Sequence, residues 1–205
     1  MFEFLFNQYR NYPTYEIVLE LTAVFFGLLS VWFAKKDNIW VFPTGIISTG
    51  IYVYLLLKWS LLGDMMINFY LLVMSIYGWY IWTRKKKGLT EFPIAVMNSY
   101  EKKMSVIIFF STLLFVIVVY SIFGKFTHWT SYIDTIVTCF LFVGMWLMAR
   151  RKIENWIFLI IGDVISIPMY YAKGYTFSSI LFLFLTIVAV FGYLEWKKTL
   201  QQKTV

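Results

Sequence analysis

The sequence is poor in charge and in the residues that build catalytic and metal sites. Only 14% of its 205 residues are charged, and it has one cysteine and one histidine. Soluble domains carry about 25% charged residues, and a chain of this length has too much surface to hide 60% hydrophobic residues from water. A lone cysteine cannot close an internal disulfide, and a lone histidine supports neither a histidine triad nor a metal site. These shortages exclude a soluble enzyme.

Two further absences exclude ATP-driven and retinal-binding membrane proteins. The sequence has no glycine-rich phosphate loop of the G-x-x-x-x-G-K-[ST] type, so we expect no ATP hydrolysis and no bound cofactor. The last hydrophobic segment, 177–193, has no lysine that could form a retinal Schiff base. The net charge of +7 does not require nucleic acid as a partner, because basic residues also orient membrane proteins.

Seven segments are long and apolar enough to be transmembrane helices, which need about 20 residues each. They are Ile17–Ala34, Ile39–Leu57, Met65–Trp82, Met104–Phe123, Tyr132–Ala149, Trp156–Ala172 and Phe177–Trp196. Residues 1–16 have no basic start or cleavage site of a secretory signal and are predicted to lie at the membrane interface. The sequence therefore predicts an all-α integral membrane protein.

The basic residues give the bundle a direction. With the N-terminus outside, 14 of the 18 lysines and arginines fall in cytoplasmic loops and 4 outside. Cytoplasmic loops are enriched in basic residues, so we expect the N-terminus outside and the C-terminus inside. The run Arg84-Lys85-Lys86-Lys87 lies in the longest polar loop and is interpreted as a topology signal that also contacts anionic lipid.

The first three and last three segments resemble each other. Trp32 and Trp146, Gly78 and Gly192, and Trp82 and Trp196 are each separated by 114 residues. Equivalent helices lie four crossings apart, so the two triplets run parallel, as in a three-plus-one-plus-three transporter architecture. The predicted units are the interfacial segment (1–16), first repeat (17–82), basic cytoplasmic loop (83–103), linker helix (104–123), second repeat (132–196) and cytoplasmic tail (197–205).

One acidic residue lies in the middle of a predicted span. Asp163 has no basic residue at similar depth in any span, and intramembrane acids are costly and generally functional. Trp156, Ser166 and Tyr170 share its helix face. A cationic ligand or a proton would explain this charge, whereas a protonated packing residue is the structural alternative.

Further polar and aromatic side chains recur at helical spacing in other spans. Together with Asp163 they suit a flat, aromatic, cationic ligand held by stacking and cation–π contacts, although such stripes are also common in membrane-protein cores. The remaining candidates for substrate binding are Trp40, Thr44, Ser48, Tyr52, Asn68, Ser75, Tyr77 and Tyr193. Glu20, Asp64 and Asp134 lie near helix starts and are interpreted as gating or structural acids.

Three motifs carry a family resemblance that covers nearly all of residues 16–197. They are Tyr77–Trp82 (YGWYIW), Arg150–Trp156 (RRKIENW) and Gly192–Trp196 (GYLEW). With the helix order, they resemble the PnuC family of bacterial vitamin transporters. The resemblance implies a fold like that of the SWEET sugar transporters, a homotrimer in the inner membrane, and facilitated diffusion. It also implies that a cytoplasmic kinase traps the imported vitamin.

The motif at the start of the sixth span bears on the substrate. In the nicotinamide riboside branch, this motif looks like W-x-x-W-x-x-x-N. Here Trp156 matches the first tryptophan, but Leu159 replaces the second tryptophan and Asp163 replaces the asparagine. We therefore place thiamine, the substrate of the related PnuT branch, ahead of nicotinamide riboside. The alternatives are a proton-coupled vitamin or nucleoside transporter, with Asp163 as the proton carrier, and a non-transporting membrane scaffold subunit.

Overall fold

The structure, a computed structural model, describes residues 13–59, 61–86, 89–90, 92–172 and 176–202. It confirms seven helices that are long and apolar enough to span a membrane. They are α1 (Thr14–Lys35), α2 (Val41–Lys58), α3 (Leu62–Thr83), α4 (Ser99–Ile122), α5 (Thr130–Ala149), α6 (Glu154–Ala172) and α7 (Thr176–Gln202). Most of the predicted interfacial segment, 1–12, lies outside the described residues.

Six of the helices form a closed ring. α1 packs on α2, α2 on α3, α3 on α5, α5 on α6, α6 on α7, and α7 returns to α1. α4 packs on α5 at the outside of this ring. This is the arrangement that a linker helix between two triplets requires, although the internal repeat and the direction of the termini remain predictions. We use "inner end" for the end of the bundle where α1, α3, α5 and α7 finish.

The boundaries of two helices extend into the loop and the tail that the sequence predicts. α4 begins at Ser99 rather than at 104, because Asn98 and Glu101 form a capping box: each side chain accepts the backbone N–H of the other. α7 continues to Gln202, into the predicted tail. The predicted loop 83–103 is therefore shorter, and it contains two antiparallel strands of two residues, β1 (Lys85–Lys86) and β2 (Leu89–Thr90).

The buried core lies at the inner end of the ring. Phe42 packs edge to face on Trp82, with ring centroids 4.9 Å apart, and Trp156 packs edge to face on Trp196 at 5.6 Å. Each of these rings faces a glycine of the neighbouring helix, Gly78 for Phe42 and Gly192 for Trp156. A side chain at either glycine would occupy the space of the ring, so glycine is required for the close approach of these helices.

The segment 92–98 closes the core from the inner side. Ile94 is buried in the core, and the backbone of Ala95 exchanges hydrogen bonds with Arg151 O and Ile153 N–H, both at 3.1 Å. The carboxylate of Glu154 accepts the backbone N–H of Met97 at 2.9 Å. This loop is thus attached to the turn between α5 and α6.

Glu101 is the most buried acid of the described chain, with 1% of its surface exposed. Its Oε1 lies 3.2 Å from Arg150 Nε and 3.1 Å from Lys152 Nζ. A carboxylate that is removed from water is stable only with such partners. The basic turn between α5 and α6, which the sequence explains by topology alone, therefore also anchors the start of α4.

Candidate functional site

Two cavities lie within the ring, one nearer the inner end of the bundle and the other nearer the opposite, outer end. The outer cavity has a volume of about 190 Å³ and the inner one about 150 Å³. Three residues, Leu141, Leu159 and Asp163, line both of them. The two leucines and the aspartate thus form the partition between a space towards the outer end and a space towards the inner end.

Asp163 lies at the centre of its helix. It is the tenth of the 19 residues of α6, about 14 Å along the axis from either end. Its side chain is half-buried, and neither cavity contains a lysine, arginine or histidine among its described lining residues. A carboxylate at this depth with no basic neighbour in the cavity walls has the charge to pair with a cation or to take up a proton, as the sequence predicts.

A proline lies in the same helix, five residues beyond the aspartate. Pro168 lies inside α6 and has no N–H to donate to the carbonyl four residues earlier. Ser166 Oγ donates to Gly162 O at 2.9 Å, and Ser179 Oγ of α7 donates to Ile167 O at 2.9 Å. The first bond lies within α6, and the second joins α7 to α6 at the residue before Pro168.

The outer cavity is the more polar of the two. Asp64, Asp134 and Asp163 all line it, so three carboxylates face a space without a described basic residue. Tyr120 Oη donates to Asp134 Oδ2 at 2.6 Å. Tyr170 stacks on Phe182 with centroids 5.0 Å apart and planes inclined by 21°. Carboxylates beside an aromatic wall are suited to a cationic ring.

The inner cavity is mainly apolar. Trp156 is fully buried in its wall, and its indole Nε1 has no hydrogen-bond partner among the described residues. Ser75 also lines this cavity, and its Oγ donates to Leu71 O at 2.9 Å. The indole N–H can therefore donate to an acceptor group of a bound ligand, since a buried donor without a partner is costly.

The structure brings together about half of the predicted site residues. Those that line one or both cavities are Asp64, Asn68, Ser75, Asp134, Trp156, Asp163, Ser166 and Tyr170. This grouping unites the two triplets around Asp163. It does not by itself test the binding role of any of these residues, which remains a prediction.

The other predicted site residues lie elsewhere. Trp40 is 58% exposed, and Ser48 Oγ donates to Ala23 O at 2.8 Å, which joins α2 to α1. Tyr77 Oη accepts from Arg150 Nη1 at 3.5 Å near the inner end. Neither cavity is lined by Glu20, Trp40, Thr44, Ser48, Tyr52, Tyr77 or Tyr193.

Sequence reasoning missed two aromatic contributors. Tyr120 belongs to α4, which was treated only as a linker, yet its phenol lines the outer cavity. Its polar end in an otherwise apolar run was a usable signal. Phe182 of α7 also lines the outer cavity, and no sequence signal distinguishes it from the many other phenylalanines.

Comparisons with known proteins agree with this architecture. A family model described as "Nicotinamide mononucleotide transporter" matches residues 17–198. The chain is 21% identical to the nicotinamide riboside transporter PnuC of Escherichia coli (strain K12), over 90% of this chain and 87% of that protein. It is 20% identical to the riboflavin/roseoflavin transporter RibM of Streptomyces davaonensis, over 83% and 80%.

A solved structure has the same fold. The crystal structure of the vitamin B3 transporter PnuC superposes with a TM-score of 0.66 and 20% sequence identity, covering 90% of this chain and 82% of that one. At this identity the match establishes the arrangement of helices, and the ligand of that protein does not carry over to this chain.

Proposed function

Because the chain belongs to the nicotinamide mononucleotide transporter family, we propose that it imports an unphosphorylated, cationic, aromatic B vitamin, with thiamine ahead of nicotinamide riboside. The family is one of vitamin transporters, not enzymes, and its relatives carry nicotinamide riboside or riboflavin. Seven spanning helices make the chain a multi-pass protein of the bacterial inner membrane.

The observation that carries the proposal is the position of Asp163. Its carboxylate lines both cavities, and no described lining residue is basic. A ligand with a permanent positive charge on an aromatic ring would offset this charge and stack on the aromatic walls at the same time. Thiamine and nicotinamide riboside both have such a ring, whereas riboflavin is neutral.

The same electrostatics discriminate between the free vitamin and its phosphate ester. A phosphorylated vitamin carries negative charge, and it would meet the carboxylates Asp64, Asp134 and Asp163 with no described basic lining residue to offset them. We propose that the site admits the free vitamin and rejects its phosphate ester. A cytoplasmic kinase would then trap the imported vitamin, and facilitated diffusion would suffice for net uptake.

The test is uptake by the purified full-length protein in liposomes. We expect saturable entry of labelled thiamine, weaker entry of nicotinamide riboside, and none of thiamine phosphate or nicotinamide mononucleotide. If riboflavin enters and both cations do not, the proposed substrate class is wrong. Collapsing an imposed pH gradient should leave thiamine entry unchanged. If it stops entry, transport is coupled to protons, which is the alternative in which Asp163 is the proton carrier.

Two further expectations belong to the same proposal. The homotrimer that the resemblance implies is tested by the mass of the detergent-solubilised protein, with the detergent contribution subtracted. A scaffold without transport activity is tested by the ligand panel in a thermal-shift assay. If no vitamin raises the melting temperature and none enters liposomes, the scaffold alternative is favoured.

A further inference from the structure

Helices α1 and α5 end in the same unusual way. In each, the residue after the last turn adopts a left-handed conformation, Asp37 with φ of 50° and Arg151 with φ of 54°. Their N–H groups donate to Ala34 O at 3.0 Å and Met148 O at 2.9 Å. Glycine normally occupies this position, because a side chain costs energy in the left-handed region. Two charged residues at such positions therefore require an explanation.

The two side chains meet each other. Arg151 Nε lies 3.0 Å from Asp37 Oδ1, and the arginine side chain is only 11% exposed. Its guanidinium carbon lies 4.0 Å from the ring centroid of Trp82, and Nη1 donates to Phe92 O at 3.3 Å. Burial lowers the pKa of the Arg151 guanidinium, and the carboxylate of Asp37 opposes that shift. The left-handed backbone thus directs two opposite charges to one partly buried contact.

This contact joins the two halves of the ring. Asp37 follows α1 and Arg151 follows α5, and they are 114 residues apart, the spacing that also separates Trp82 from Trp196. An ion pair between equivalent positions of two triplets lies where the triplets face each other. The pair therefore joins the end of α1 in one triplet to the end of α5 in the other.

Two tryptophan hydrogen bonds flank the ion pair. Trp82 Nε1 of α3 donates to Ala149 O of α5 at 3.1 Å, and Trp196 Nε1 of α7 donates to Ala34 O of α1 at 3.2 Å. Both bonds run from one triplet to the last turn of a helix in the other. Ala34 also lines the inner cavity. These contacts therefore separate the inner cavity from the inner end of the bundle.

We propose that the Asp37–Arg151 pair is a latch that holds the inner end closed while the outer cavity receives its ligand. Release towards the inner end requires the pair to separate and the two tryptophan bonds to break. An ion pair that retains some contact with water is weak enough to break in each cycle. It still biases the closed state, by up to about fivefold in population for a pair that contributes about 1 kcal/mol. The role of the latch in a transport cycle rests on the proposed function. Its effect on access to the inner cavity does not.

The latch is tested by access to the inner cavity, without any vitamin. The buried Cys139 is the only cysteine, so a C139S background with S75C places one thiol on the inner-cavity wall. Inside-out vesicles are treated with a membrane-impermeant thiol reagent. We expect D37R and R151D each to raise the labelling rate about tenfold, and the double variant D37R/R151D to return it to within about twofold of the parent.

Each outcome decides the proposal. Unchanged labelling in the single variants overturns the latch, and so does a double variant that labels as fast as the singles. R151G provides a second measurement, because glycine relieves the left-handed backbone but removes the charge. We expect R151G to label faster than the parent, and parental labelling in R151G would overturn the proposal. A wrong vitamin assignment changes none of these rates, so the two failures are distinguishable.

Discussion

Replacing Asp163 with asparagine removes the charge at the partition between the cavities and keeps the shape of the side chain. The carboxylate is half-buried and lines both cavities. A cation about 5 Å away gains about 3 kcal/mol at an effective dielectric constant of about 20. Lost hydration of the two charges offsets roughly half of this gain. We therefore expect D163N to weaken thiamine binding by about 1.5–2 kcal/mol, which is roughly 10–30-fold in Kd.

The assay is titration calorimetry of the detergent-solubilised protein with thiamine, checked by initial uptake rates in liposomes. E195Q is the matched control, since Glu195 is 43% exposed, pairs with Lys35 at 3.2 Å and lies outside both cavities. It should bind thiamine as the wild type does. D163E keeps the charge and should lose less affinity than D163N. The electrostatic reasoning is refuted if D163N binds thiamine within twofold of the wild type.

Two predictions concern stability, both read from the melting temperature of the purified protein. G192A would place a methyl group 2.6 Å from Trp156 Cζ2, and we expect it to lower the free energy of unfolding by about 1–3 kcal/mol. The control is G50A, whose methyl group would meet no atom within 4 Å. Equal melting temperatures of the two variants would contradict the packing argument. E101Q leaves two basic side chains near an uncharged group, because Glu101 is 1% exposed and pairs with both. We expect it to lower the free energy of unfolding by about 3–5 kcal/mol. A wild-type melting temperature would show that the network is dispensable.

Composition and periodicity were sufficient for the membrane class and the helices. Lipid offers no hydrogen bonds to an open backbone, so each long apolar segment must become a helix, and seven were found where seven were expected. Asp163 was also identified from sequence, because a charge in the middle of an apolar span is expensive wherever the helix packs. These inferences depend on residue type and local order alone.

Pairing between helices was harder to predict. In the sequence, Trp40 and Trp156 each closely follow an asparagine, Asn38 and Asn155, which suggests that the two tryptophans are equivalent in the two triplets. The structure instead gives Phe42 the contacts in the first triplet that Trp156 has in the second, and leaves Trp40 58% exposed. Helical spacing gives a face, but it does not say whether lipid, another helix or a cavity covers that face.

The sequence by itself determined the seven spans, the membrane environment and the position of an acid in the middle of the sixth span, because these follow from the cost of transferring polar groups into lipid. Only the tertiary structure decided that Asp163 lies between two cavities, that Tyr120 of the linker helix lines one of them, and that Asp37 meets Arg151. These features depend on distances between helices far apart in the chain. Such distances are set by contacts between the two triplets, such as the bonds from Trp82 to Ala149 O and from Trp196 to Ala34 O, which no local pattern encodes.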